Sequence, residues 1–206
     1  MTRVGSILRY IFTTNSSFWF EKDLTKSILN YKAKIPVEID IDSTKETIDW
    51  LKNQDEKWVV HPQEICCAIK YKHSWPSVSV NKKIIGCIKI GFLYVYIVDF
   101  NKIIKLPETM AFIYDTYVLE QHRGKGVAKY LITQAVKSIK SKGYKKVRCH
   151  IPPWNKNSIN SYEKIGFKKI GYIRHFRILG MPFNIGNMSK EFLIPKTNNI
   201  DGEYSK

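Results

Sequence analysis

The chain has 206 residues, enough for one domain with a sizeable core, and its 44% apolar and 13% aromatic content exclude wholesale disorder. It carries 34 Lys and Arg against 18 Asp and Glu, a formal charge of +16, yet the cations are nearly all lysines spread among Ile and Asn, with Arg3, Arg9, Arg123, Arg148, Arg174 and Arg177 the only arginines. Dispersed charge of this kind speaks against a dedicated nucleic-acid face. Cys66, Cys67, Cys87 and Cys149 show neither C-x-x-C spacing nor partnered histidines, so no metal and no disulfide framework is expected. Arg3 and Arg9 interrupt any signal-peptide core, and Phe92 to Val98 falls far short of the ~20 residues of a spanning helix. A soluble cytoplasmic protein without membrane contact is expected.

In chain order, Ser6 to Phe12 and Ser17 to Glu21 both have strand composition, and the run Phe18, Trp19, Phe20 reads as core because alternate strand residues face opposite sides. After Pro36, Val37 to Ile41 alternates as a short strand. Ser43-Thr-Lys-Glu46 has the capping-box pattern and predicts a helix through Ile48, Leu51 and Lys52. A second short helix is predicted from Pro62 to about Tyr71, with proline in the first turn and Ile65, Ala68 and Ile69 as its stripe. Residues 76–80 and 84–90 read as a hairpin turning at Asn81-Lys-Lys83. Residues 91–109 read as an extra hairpin or a lengthened strand edge with no chemistry of their own.

Met110 to Leu119 has the β-branched and aromatic content of a buried strand, and Val127, Leu131, Ala135, Val136 and Ile139 recur at helical spacing until Gly143. Between them lies Gln121-His122-Arg123-Gly124-Lys125-Gly126-Val127-Ala128. Glycines there remove side-chain bulk, so N–H groups and the helix macrodipole can meet an anion at one place. Lys146 to Ile151 forms the next strand, with Val147, Cys149 and Ile151 on one face and Arg148 and His150 on the other. Pro152-Pro153 stops it. A helix follows from about Asn157 to Ile165, then a strand-like run from Phe167 to Arg177, and the polar tail from Lys196 is expected to fray.

The turn Gln121-His-Arg-Gly124-Lys-Gly126, followed by Asn155-x-x-Ser158-x-x-x-Tyr162-x-x-x-Gly166-Phe167, closely resembles the GCN5-related N-acetyltransferase (GNAT) family across about residues 76–175. The resemblance implies an α/β fold: a mixed, mostly antiparallel sheet with splayed central strands and helices on both faces. It implies acetyl-CoA as cosubstrate and direct transfer of the acetyl group to a primary amine through a ternary complex. The acceptor is a small molecule, an amino sugar or a protein N-terminus, and the basic charge tilts it towards an anionic one. By the resemblance, Tyr117, Val118 and Leu119 contact pantetheine through their backbone, Gln121 and Arg123, Gly124, Lys125, Gly126, Val127 and Ala128 hold the pyrophosphate, and Asn155 hydrogen-bonds the cofactor. The helices between residues 43 and 75 line the acceptor cleft.

Tyr162 matches the tyrosine that protonates the leaving thiolate, a task open to a phenol of ordinary pKa near 10. His150 and Asp115, the latter through a water, are the two candidates for general base, with a water chain as a third option. Trp154 either walls the acceptor site or packs in the core. Covalent catalysis is disfavoured, since no cysteine lies in either motif. A non-catalytic CoA-binding or regulatory module is the alternative from another class, an RNA- or ribosome-associated protein is a weaker one, and assembly as a homodimer stays open.

Overall fold

The computed structural model describes residues 12–54, 60–100, 102–178 and 181–187. Among the described residues it has ten strands: β1 (Phe12–Asp23), β2 (Glu38–Asp40), β3 (Ser77–Val80), β4 (Lys83–Gly91), β5 (Tyr94–Ile97), β6 (Lys102–Lys105), β7 (Met110–Val118), β8 (Lys146–Ile151), β9 (Lys168–Ile178) and β10 (Met181–Gly186). Four α-helices join them: α1 (Thr44–Lys52), α2 (Pro62–Lys70), α3 (Val127–Ser141) and α4 (Lys156–Lys164). Eight strands form one sheet in the order β10-β9-β1-β8-β7-β4-β3-β2, and β5 and β6 form a separate hairpin. All pairs in the large sheet are antiparallel except β7 with β8. That parallel pair needs a crossover, which α3 supplies.

The parallel pairing is short. It runs from Met110 opposite Lys146 to Ile113 opposite Cys149 and then stops, although β7 continues to Val118 and β8 to Ile151. Each diverging strand stays bonded to its outer neighbour: β4 follows β7 as far as Gly86 opposite Val118, and β1 follows β8 as far as Phe18 opposite Ile151. The sheet therefore opens as a V. The five residues Tyr114 to Val118 give it a wall roughly 16 Å long at strand rise.

Two layers cover the sheet. On one face α3 and α4 bury Leu131, Ala135, Val136, Tyr162 and Ile165 against Phe20, Ile88, Ile90, Ile113 and Cys149. On the other, α1 and α2 bury Ile48, Leu51 and Ala68 against Trp75, Cys87 and Tyr117, while the β5–β6 hairpin seats Val95, Ile97, Ile104 and Leu106 on Trp19, Phe112 and Ile173. Phe20 is fully buried and Trp19 nearly so, as their place in the strand requires. The 91–109 hairpin is therefore part of the second layer.

One sequence expectation needs adjustment. Ser43 makes no cap bond to α1; its Oγ lies 2.8 Å from Ser77 Oγ and accepts the Ser77 N–H (2.9 Å), tying the helix entry to β3. The capping box forms instead at α2, where His61 Nδ1 accepts the Gln63 N–H and Glu64 Oε2 accepts the His61 N–H at 3.0 Å. Residues 6–11 and the tail from Lys196 lie outside the described residues. No helix among the described residues is long and apolar enough to cross a membrane.

Candidate active site

The glycine turn sits where β7 ends and α3 begins, at the mouth of the V. Gly124 (φ +74°) and Gly126 (φ +79°) are both in the left-handed region, which a β-carbon disfavours. Gly126 is the N-cap of α3 and offers no side chain to its N–H groups. Among the described residues, no backbone acceptor meets the N–H groups of residues 124–128. The first α3 bond is Tyr130 N–H to Gly126 O at 3.0 Å. Gln121 and Arg123 are exposed beside these donors, and Arg123 Nε donates to Val118 O (2.9 Å), fastening the turn to the end of β7.

Along the β7 wall the three residues expected to meet a ligand through their backbone are not equivalent. Leu119 N–H is spent on Ile85 O at 2.9 Å, on the β4 side. In an antiparallel strand N–H and C=O directions alternate, so those of Val118 point into the V. The Val118 carbonyl takes Arg123 there, and its N–H remains for a ligand. Tyr117 packs its ring against Trp50 of α1, with centroids 5.9 Å apart.

A β-bulge decides which side chains reach which face. Lys89 pairs with Asp115 but Ile90 with Ile113, so Tyr114 is an extra residue on β7. Tyr114 and Asp115 consequently point to the same side, and the alternation beyond them is reversed. Thr116 turns to the α3–α4 face and meets Tyr162 there, Oγ1 to Oη 3.0 Å. Tyr162 is 4% exposed, and burial, with a smaller push from Cys149, raises its phenol well above 10 despite the Thr116 bond.

Asp115, on the α1–α2 face, lies 3.3 Å from Lys89 Nζ, which is 3.0 Å from Glu64 Oε2. Lys89 is 1% exposed and sits 5.2 Å over the Trp75 ring. Burial alone would lower its pKa, but Asp115 and Glu64 outweigh that and raise it, so the ammonium persists. Beside this cluster His73 Nε2 donates to Tyr94 O (2.9 Å), and its Nδ1 lies 3.3 Å from the Tyr114 hydroxyl. The Tyr94 carbonyl and the Phe92 carbonyl (3.3 Å) at Nε2 fix the proton there, so Tyr114 donates to Nδ1.

The remaining expected residues fall elsewhere. His150 is also on the α1–α2 side of the sheet, but its Nε2 donates to Asp99 Oδ2 (3.1 Å), its ring lies between Trp19 and Phe112 (centroids 5.7 Å from each), and its Nδ1 is buried. Asp99, in the 91–109 hairpin to which the sequence reading gave no chemistry, is the partner that fixes the His150 ring. Asn155 caps α4, its Oδ1 accepting the Ser158 N–H at 3.1 Å. Trp154 is 78% exposed in the turn after β8, so it is not a core residue. Lys89, Glu64, Thr116 and Asp99 were missed because their roles come from pairing across long sequence distances.

A model of the acetyltransferase (GNAT) family matches residues 39–167, reaching back through α1 and α2 to β2. YycN of Bacillus subtilis (strain 168), an uncharacterized N-acetyltransferase, is 30% identical over 99 residues, which are 48% of this chain and 57% of that protein. A GCN5-related N-acetyltransferase from Sphaerobacter thermophilus superposes with a TM-score of 0.57 at 11% identity, over 85% of this chain and 56% of that one. A Drosophila protein does so with a TM-score of 0.59 at 12% identity, over 86% and 57%. This chain thus spans a little over half the length of these relatives, and the two structural likenesses are likenesses of fold. With its splayed parallel pair, its glycine turn at the head of α3 and a family match over more than half its length, the chain belongs to the GNAT acetyltransferase family.

Proposed function

We propose that this protein moves an acetyl group from acetyl-CoA to a primary amine by direct transfer within a ternary complex. The observation that carries this reading is the V itself, with unpaired N–H groups at its mouth and a buried phenol on one wall. An extended pantetheine arm fits between β7 and β8 as a strand would, with the Val118 N–H as donor. The pyrophosphate lies on the N–H groups of Gly124 to Ala128, with Gln121, Arg123 and Lys125 around it. Asn155, whose Oδ1 is used as a cap, retains its Nδ2 for the cofactor.

The amine nitrogen attacks the thioester carbonyl carbon, the C–N bond forms and the C–S bond breaks, with the electron pair leaving on sulfur. A thiol of ordinary pKa near 8.5 cannot draw the proton fully from a phenol raised above 10. Tyr162 therefore acts chiefly by donating a hydrogen bond to the departing sulfur, while the Thr116 hydroxyl donates to the phenol oxygen. Water completes the protonation. Of the two base candidates, we assign the role to Asp115, acting through a water, because its side chain is 30% exposed beside the V. His150 has Nε2 committed to Asp99 and Nδ1 buried.

The Glu64–Lys89–Asp115 cluster holds two carboxylates against one ammonium. One net negative charge on the acceptor side favours an amine that arrives as an ammonium, whether on a small molecule, an amino sugar or a protein N-terminus. This reverses the tilt towards an anionic acceptor suggested by the charge of the whole chain. In this reading Trp154, exposed in the turn after β8, walls the acceptor. Calorimetric titration with acetyl-CoA and with CoA tests the reading: one-site saturable binding is expected, followed by thiol release on adding amines. A folded protein that binds neither would sink it.

A further inference from the structure

Two acid-free stretches of this chain lie side by side, and only one of them belongs to the motif. Residues 121–162 contain no Asp or Glu, and neither do residues 24–37, which carry Lys26, Lys32 and Lys34. The second stretch leaves the end of β1, where Leu24 N–H bonds to Lys145 O, and runs along α3 from its C-terminal end towards its N-terminal end. Lys140 Nζ donates to Lys26 O (3.1 Å), Lys137 Nζ donates to Asn30 Oδ1 (2.7 Å), and Lys129 Nζ stands 5.9 Å from the centre of the Tyr31 ring. The Tyr31 hydroxyl crosses to α4 and donates to Lys164 O (2.8 Å). Ile28, Tyr31, Ala33 and Ile35 pack on the core below. This strap ends at the glycine turn.

There Lys34 N–H donates to Lys125 O at 2.8 Å, and a β-carbon on Gly126 would stand 3.5 Å from Lys32 O. In a trans peptide the C=O and N–H point in opposite directions. Holding the Lys125 carbonyl towards the strap therefore aims the Gly126 N–H away from it. Flanked by a glycine, that peptide has little of its own to fix its orientation.

We infer that residues 24–35 are the positioning element of the anion site, and that the Lys34 main-chain N–H presets the Gly126 N–H for a ligand phosphate. The inference rests on the CoA reading above. Lys34 touches no ligand atom in this scheme; it acts through the Lys125–Gly126 peptide. Because coupling between two sites is reciprocal, a phosphate bound at the turn must strengthen the Lys34 hydrogen bond by the factor with which that bond strengthens phosphate binding.

Amide hydrogen exchange on the wild-type protein tests this directly. Saturating CoA is expected to slow exchange of the Lys34 amide about tenfold, the worth of one hydrogen bond, whereas pantetheine, which has no phosphates, leaves it unchanged. An equal Lys34 rate with and without CoA overturns the inference. Lys34→Pro, which deletes the donor, should weaken CoA binding about tenfold, and Lys34→Ala, which keeps it, should recover binding to within about threefold of wild type. Wild-type affinity in a folded Lys34→Pro variant also overturns it, and if that variant does not fold, the exchange measurement decides. Absence of CoA binding by wild type is a different failure, that of the acetyltransferase reading, and takes this inference with it.

Discussion

The two faces of the sheet at the V are built on different principles. On the α3–α4 face, chemistry is carried by main chain and by one phenol: N–H groups freed by glycines, a helix N-terminus, and Tyr162 on Thr116 in an otherwise apolar wall. On the α1–α2 face it is carried by buried side-chain charge: Glu64, Lys89 and Asp115, with His73 and Tyr114 beside them. A ligand built of phosphates and an amide-bearing arm suits the first. The second has the groups to recognise and deprotonate an amine. Under the proposed function the difference separates donor binding from acceptor handling, and variants on each face should separate the two in the same way.

The largest effect is expected at Gly124. Nothing lies within 4 Å of where its β-carbon would be, so Gly124→Glu has room, but φ is +74° and the new carboxylate stands where phosphate is to bind. Strain of about 1–2 kcal/mol leaves a foldable protein, and calorimetry should show CoA affinity reduced more than about 100-fold by charge and bulk. Normal binding would remove the turn from the donor site. On the other face Lys89→Met strands two carboxylates, Glu64 almost wholly buried, and is expected to cost about 3–5 kcal/mol in urea unfolding. A loss under about 1 kcal/mol would show that the cluster is solvated and not an acceptor-side charge.

The same contrast explains what could be read in advance. The α3–α4 face is local: strand, glycine turn and helix are contiguous and the Asn155–Phe167 run follows one strand later, so spacing located β7, α3, β8 and α4 within a residue or two. The acceptor face is not. Glu64 reaches Lys89 across 25 residues, His73 reaches Tyr114 across 41, and Asp99 reaches His150 across 51. No periodicity announces such pairs. The bulge at Tyr114 was equally hidden, and it sends Asp115 to one face and Thr116 to the other. Ser43 gives up the capping role its pattern predicts because Ser77, distant in sequence, claims the Ser43 oxygen.

A pH experiment sharpens the picture of the acceptor face. Burial holds His73 at about 4 against 6.5 for the free side chain, so it stays neutral in the folded protein over most of that window. The unfolded chain takes up a proton near pH 6.5 and the folded one only near 4. Stability from this group is therefore full above 6.5 and lost as pH falls towards 4, by roughly 3 kcal/mol. His73→Leu should be less stable at pH 7 yet flatter between 6.5 and 4 in urea titrations. A wild-type curve that is already flat there would contradict a buried neutral His73. In the proposed mechanism Tyr162→Phe removes the hydrogen bond to the leaving sulfur, and it should lower kcat about 10- to 100-fold with CoA affinity unchanged. An unaltered kcat would leave Tyr162 as a packing residue.

The smallest effect should come from Asp99→Asn, and it bears on which side chain takes the proton. The hydrogen bond from His150 holds the Asp99 carboxyl below its ordinary value against the opposing effect of burial. Its share of stability is present above about pH 4, the ordinary carboxylate value, and disappears as pH falls through the lowered one. Asparagine can still accept the Nε2–H, so only the charge-assisted part is lost, about 1 kcal/mol at pH 7 for a pair this exposed to solvent. If His150 only braces Trp19 and Phe112, kcat/KM should stay within about threefold of wild type and the acidic limb of the pH–rate profile should not move. If His150 were the base, losing the carboxylate that orients its ring would lower kcat/KM by more than about tenfold. Asp115→Asn should lower kcat/KM by more than about 100-fold under the first arrangement and by less than about threefold under the second, so the two variants together assign the base to one side chain of the α1–α2 face.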